Sequence, residues 1–202
     1  MGAEEVLVVP ASALSLPRFS VDPADVASVL SAVERLGCFR LRKPDAEGDP
    51  STRQVIPYVV VVAEPSGLVF GTLRIAGGEP RLLGRSSLCI GGHINPVDGA
   101  GSPLDALSAG LAREWGEEVA CSAPPVFGDP VAVVNDESDL VGRVHLGLVY
   151  VVRIGDADTV SVRETGILEG RWLSRADLRE QADRLEGWGA IVAAGLFGGP
   201  AD

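Results

Sequence analysis

The chain is predicted to fold as an α/β protein, a mixed sheet sandwiched by helices. Three observations carry this: long apolar runs that read as buried strands, helical stretches with marked caps and apolar stripes, and an order in which one helix stands between strands.

Taken in order, Glu5 to Val9 reads as a short strand. A helix follows over Pro23 to Leu36: Asp22 caps it, Pro23 suits the first helical position, and Val26, Val29, Leu30, Val33 and Leu36 make one stripe. A strand at Cys38 to Leu41 leads into the polar loop Lys43 to Arg53. The run Val55 to Ala63 and the stretch Leu68 to Ile75, split by Glu64-Pro65-Ser66-Gly67, read as a buried hairpin. A turn at Gly77-Gly78 and a strand at Ser87 to Ile90 then reach the glycine pair Gly91-Gly92. The next helix opens with Ser102-Pro103-Leu104-Asp105, in which Asp105 reads as the capping-box acid. Leu104, Leu107, Leu111 and Trp115 form its buried stripe, and Pro124-Pro125 ends the segment. Strands are expected at Val131 to Val134, Val144 to Ile154 and Ile167 to Leu173, and helices at Arg175 to Leu185, capped by Ser174, and Trp188 to Phe197.

With 202 residues, 46% of them hydrophobic, the chain can bury one substantial core, and nothing demands two domains. Residues 1–202 are read as a single domain with 1–50 as an N-terminal extension packed on it. The net charge of −11 and the pI near 4.6 argue against a nucleic-acid polymer or an anionic membrane as partner, because the long-range field repels both. All but one of the 17 basic residues are Arg, Lys43 being the exception, and Arg suits bidentate phosphate binding. Cys38, Cys89 and Cys121 are odd in number and widely spaced, which favours reduced, mostly buried thiols. No apolar run reaches the roughly 18 residues of a membrane span, and the start is acidic where a signal peptide is basic. A cytoplasmic location is expected.

Arg113-Glu114-Trp115-Gly116-Glu117-Glu118 places three carboxylates near the end of a predicted helix. At about 100° per residue they share one narrow face, with Arg113 one turn from Glu117. Like charges repel there and the helix dipole disfavours them, so a bound divalent cation would relieve the arrangement. These residues resemble the core of the Nudix box, G-x(5)-E-x(7)-R-E-U-x-E-E-x-G-U, where U is bulky and apolar. Arg113, Glu114, Trp115, Glu117 and Glu118 match directly. Asp105 stands where the family has Glu, Ala120 where it has Gly, and Cys121 at the final U. Gly99 fits the box glycine by count. Gly91-Gly92 is the alternative, with the loop Asn95 to Ser102 then an insertion; both alignments stay open. Glu169-Gly-Arg-Trp, ahead of Ser174, is similar to the E-x-x-W tail of the family.

The resemblance implies a pyrophosphohydrolase dependent on Mg²⁺ or Mn²⁺ that cleaves a diphosphate linkage in a nucleoside diphosphate derivative or related phosphorylated small molecule. Glu114, Glu117 and Glu118 would hold the metal with the Gly91 carbonyl, and Arg113 would orient the carboxylates. A further acid, from Asp136, Glu137, Asp139, Glu164 or Glu169, would act as base, and Glu164 is the choice made here. Arg74, Arg81, Arg85 and His93 are the candidates for substrate phosphates, while His145, in an apolar strand, reads as structural. Two alternatives are a ligand-binding or regulatory Nudix domain without turnover and an isopentenyl diphosphate isomerase-like enzyme. The latter has a Cys two residues before such a His, whereas Cys89 lies four before His93. The partner is a small phosphorylated molecule, and assembly as a homodimer is left open.

Overall fold

Val6 to Val9 are buried in succession, so this strand has no solvent face and needs neighbours on both edges. It finds them. β1 (Glu5–Pro10) pairs antiparallel with β3 (Cys38–Leu41) on one side and with the start of β4 (Thr52–Ala63) on the other. The computed structural model describes residues 4–76, 83–99, 101–122, 124–155 and 160–198. Among these, nine strands join in one mixed sheet whose main path runs β11-β5-β4-β9-β8-β2, with helices packed on it, the α/β class expected.

The chain resolves into two compact units, each discontinuous in sequence. The first comprises Met1–Tyr58, Gly91–Trp115 and Pro130–Val149. Here α1 (Pro23–Leu36) begins as expected: Asp22 Oδ1 accepts from the Ala24 amide at 2.8 Å, a cap contributing about 1 kcal/mol. It packs on β1 and β8 (Ala132–Val134) through Val26, Val29, Ala32 and Val33. Leu30 is only half-buried, and Leu36, in the final turn with no further turn to cover it, is 44% exposed, so the stripe is narrower than expected. The two-residue β2 (Phe19–Ser20) pairs with β8, which pairs in turn with β9 (His145–Ile154). The polar loop after β3 carries a helical turn over Arg42–Ala46 that tucks Ala46 against Val6 and Val8.

The second unit comprises Val59–Ile90, Gly116–Asp129 and Tyr150–Asp202. β4 and β5 (Val69–Arg74) form the expected hairpin, with Val61 opposite Phe70. The other edge of β5 pairs with β11 (Leu168–Leu173), where Phe70 and Trp172 meet edge to face at 5.2 Å. The strand expected at Ser87 to Ile90 shrinks to β6 (Ser86–Ser87), with Ile90 rejoining the ladder through a single bridge to Val59. Ser174 and Asp177 cap α3 (Arg175–Glu180) reciprocally. The expected helix to Leu185 breaks at Gln181 into a 3₁₀ turn before α4 (Gly187–Phe197). The turn expected at Gly77-Gly78 lies outside the described residues.

α2 (Pro103–Glu118) ends earlier than expected. It gives way at once to β7 (Val119–Cys121), well before Pro124-Pro125, because β10 (Val160–Val162) is there to pair with it. The cysteines also differ from expectation. Cys38 is exposed at the sheet edge and Cys89 and Cys121 are half-buried. No helix among the described residues is long and apolar enough to cross a membrane.

Candidate active site

The start of α2 is tied by two reciprocal bonds. The Ser102 amide donates to Asp105 Oδ2 at 2.9 Å and the Asp105 amide to Ser102 Oγ at 3.3 Å, so Asp105 is the capping acid. Ala106, Leu107, Gly110, Leu111 and Trp115 form the buried face, while Leu104 is half-buried. The acids fall in the last two turns: Glu114 and Glu118 half-buried, Glu117 exposed.

Arg113 is the hub. Its Nη1 donates to Glu114 Oε1 at 2.7 Å, and its Nε and Nη2 grip Asp98 Oδ1 and Oδ2 at 2.6 and 2.9 Å. Nη2 also reaches the His93 carbonyl at 2.9 Å. The fixed fork of guanidinium donors thus spans two carboxylates and the loop backbone at once. Burial by itself would raise the Asp98 carboxyl pKa, but the Arg113 guanidinium and the Asn95 amide outweigh it and hold that carboxyl below its ordinary range. Hydrogen bonding to Asp98, chiefly, raises the Arg113 pKa, so the guanidinium is always charged.

The glycine pair lies on this network. Gly91 adopts φ 148°, and a Cβ there would overlap the Pro57 carbonyl oxygen. A Cβ on Gly92 would come within 2.7–2.8 Å of all three carboxylate atoms of Glu114. Gly99 instead faces the start of α2, its notional Cβ 3.2 Å from Ala106 Cα. Of the two candidate box glycines, Gly92 is the one against Glu114.

Each acid weighed as base has a describable setting. Asp136 pairs with Arg18 at 3.1 Å, Glu137 with Arg53 at 2.6 Å and Glu169 with Arg171 at 3.2 Å, while Asp139 accepts from the Gly142 amide. Glu164 is exposed on the turn after β10. Its neighbour Arg163 donates its amide to the Glu118 carbonyl at 2.9 Å and its Nε to the Val119 carbonyl at 2.8 Å, so this turn is tied to the end of α2.

Of the phosphate candidates, Arg81 lies outside the described residues. Arg74 is paired in the sheet opposite Leu168, with its Nε buried and lacking a protein partner. Arg85 donates to the Asp183 carbonyl at 2.5 Å. His93 is largely buried, 5.7 Å from the ring of His145, and burial first, then the nearby Arg42 and His145, push its pKa down to about 4. His145 donates through Nδ1–H to the Val141 carbonyl at 2.7 Å, as a structural histidine would. Asp98 and Arg163 are the residues that sequence reasoning missed. Asn95-Pro96-Val97-Asp98 does carry a capping-box spacing, with the Asn95 amide bonded to Asp98 Oδ2, but nothing in it names Arg113 as partner. Arg163 carries no local signal at all.

Among the described residues no three His, Cys, Asp or Glu side chains already converge to hold a metal ion. The donors nonetheless suit Mg²⁺ or Mn²⁺. They are carboxylate and main-chain oxygens, and the absence of a side chain at Gly92 is what lets the Glu114 carboxylate lie against the loop backbone.

No family model matches the chain. Protein YmaB of Bacillus subtilis (strain 168) is 32% identical over 171 residues, covering 83% of this chain and 82% of that one. The crystal structure of Tm1382, classed as a candidate Nudix hydrolase, matches with a TM-score of 0.77 at 32% identity over 95% of this chain and 97% of that one. DR0079 from Deinococcus radiodurans matches at a TM-score of 0.54 and 14% identity, over 79% and 91%, a likeness of fold alone. The chain belongs to the Nudix hydrolase family.

Proposed function

We propose that this chain is a metal-dependent pyrophosphohydrolase cleaving a diphosphate linkage in a nucleoside diphosphate derivative or a related phosphorylated small molecule. The observation that carries the reading is Glu114, bonded to Arg113 and seated against the bare backbone of Gly92, with Glu117 and Glu118 following on the same helix. Mg²⁺ or Mn²⁺, held by Glu114, Glu117, Glu118 and the Gly91 carbonyl, would neutralise charge on the phosphate oxygens and acidify a bound water. The protein's own part is positioning. Arg113 donates to Glu114 Oε1 and so fixes the orientation of that carboxylate. Glu164, exposed on the turn tied to the end of α2, takes the proton of the attacking water. The water oxygen bonds to phosphorus as the bridging P–O bond breaks. Arg74, Arg85 and His93 are proposed phosphate contacts, with Arg81 a further candidate. His93, neutral at pH 7, would act as a hydrogen-bond donor and not as a charge. The acidic chain suits a small substrate held by local cations and not a polyanion.

The test is a product screen over nucleotide sugars, dinucleoside polyphosphates, nucleoside triphosphates and diphosphates in ¹⁸O-labelled water, with Mg²⁺ and with Mn²⁺. Label on one phosphate-containing product, with strict dependence on metal, is the expected result. Thermal stabilisation by these compounds without product would replace the enzyme reading by a binding one.

A further inference from the structure

Arg163 stands beside the acid end of α2, yet it belongs to no sequence motif of the site. It follows β10, one step beyond the Val162–Val119 pair, and its amide donates to the Glu118 carbonyl at 2.9 Å. The side chain is held as well. Nε donates to the Val119 carbonyl at 2.8 Å, which engages one edge of the guanidinium and leaves the terminal pair, Nη1 and Nη2, with no acceptor among the described residues. The turn behind it is closed by its own backbone, since the amides of Ile167 and Leu168 both donate to the Glu164 carbonyl, at 3.0 and 2.9 Å. Arg163 therefore presents an exposed fork on an anchored stem. Other arginines of the same unit are engaged at their tips: Arg85 gives Nη1 to the Asp183 carbonyl, Arg153 pairs with Glu64 and Arg171 with Glu169.

The surrounding charge calls for such a group. Glu117 and Glu118 end α2 and Glu164 follows Arg163 directly, so a diphosphate brought to this end of the helix meets carboxylates that repel it. A fixed cation offsets that repulsion. With Nε already anchored, the guanidinium loses little further freedom when Nη1 and Nη2 take two phosphate oxygens, a bidentate geometry that a Lys ammonium cannot copy. We propose that Arg163 is a substrate-binding residue that grips two non-bridging oxygens of the diphosphate through Nη1 and Nη2. This rests on reading Glu117 and Glu118 as ligands of the divalent cation that accompanies the diphosphate.

The probe is imidodiphosphate, whose P–N–P bridge resists hydrolysis, titrated calorimetrically into the full chain after a titration with Mn²⁺ alone. Arg163→Gln is the informative variant. The Gln amide nitrogen occupies the place of Arg Nε and can still donate to the Val119 carbonyl, so the substitution removes the fork and keeps the tie. Its Mn²⁺ affinity is expected to equal or slightly exceed the parent's, because a nearby positive charge is gone. Imidodiphosphate should bind the Mn²⁺-loaded variant roughly ten- to hundredfold more weakly, the scale of losing charge-assisted hydrogen bonds. Equal imidodiphosphate affinity in parent and variant would overturn the proposal, and so would a Mn²⁺ affinity that falls in step with it, the mark of a residue that only holds the end of α2. If the parent binds no Mn²⁺, the metal reading falls, and the proposal with it. Should Arg163→Gln not fold, the parent itself decides: phenylglyoxal, which modifies exposed guanidinium groups, should label Arg163 in the Mn²⁺-loaded chain and be blocked there by imidodiphosphate. Labelling of Arg163 that imidodiphosphate leaves unchanged would equally refute the contact.

Discussion

At the residue scale, what distinguishes the site is the absence of side chains at Gly91, Gly92 and Gly110 as much as the presence of acids. Each glycine lets a carbonyl or a carboxylate approach the backbone more closely than any Cβ would allow. His93 belongs to the same crowded region, and its burial is expected to make stability depend on pH. Its pKa is about 4 in the folded chain against an ordinary value of 6.5, so the unfolded chain takes up the proton first. Stability from this group is therefore complete above about pH 6.5 and is lost as pH falls from there toward 4, by on the order of 3 kcal/mol at most. Asp98 and Asp136, held below the ordinary carboxylate range, titrate lower still and leave this window to the histidines. Melting curves between pH 7.5 and 4.5 should fall steeply for the parent and less for His93→Asn. Parallel curves would show that His93 is not the group responsible.

At the scale of elements, α2 is held at both ends by different means. Its start is a local device, the Ser102–Asp105 box, and its end is a long-range one, the β7–β10 pairing with Arg163 bonded to the Glu118 and Val119 carbonyls. Asp105→Ala should cost about 1 kcal/mol of stability, the usual scale for a lost cap, with Mn²⁺ affinity within a few-fold of the parent. Urea unfolding and metal titration of the same sample check both halves. A deep loss of affinity with no loss of stability would move Asp105 from the cap to the site.

For the whole molecule, a ligand that binds only the folded state shifts the unfolding equilibrium by mass action. Mn²⁺ at a hundred times its Kd should stabilise the parent by about 2.7 kcal/mol, or roughly 5–10 °C in a chain of this size. Glu118→Gln should lose most of that gain. Relieving one like-charge repulsion should also leave its metal-free form a few tenths of a kcal/mol more stable than the parent. Calorimetric scans with Mn²⁺ and with chelator measure both, and an equal Mn²⁺ shift in parent and variant would place the cation away from Glu118.

The local features were legible in the sequence because they depend on near neighbours. Asp22-Pro23 began α1, Ser102-Pro103-Leu104-Asp105 began α2 and Ser174 began α3, each through bonds spanning two or three residues. The uninterrupted apolar runs gave β4 and β9, since a strand buried on both faces has no polar alternation. Arg113 through Glu118 stood out by spacing alone. Where two segments distant in sequence meet, local pattern had nothing to say. β7 and β10 are three-residue strands that exist only because each pairs with the other, and Leu36 is exposed because no neighbour covers the last turn of α1. The choice of Gly92 over Gly99 against Glu114, and of Asp98 over Asp105 as the partner of Arg113, turned on distances set by the path of the loop between the glycine pair and α2. The sequence determined which residues could carry charge and begin helices; only the tertiary structure decided which charges meet, because pairing across a loop is a matter of geometry that no local spacing encodes.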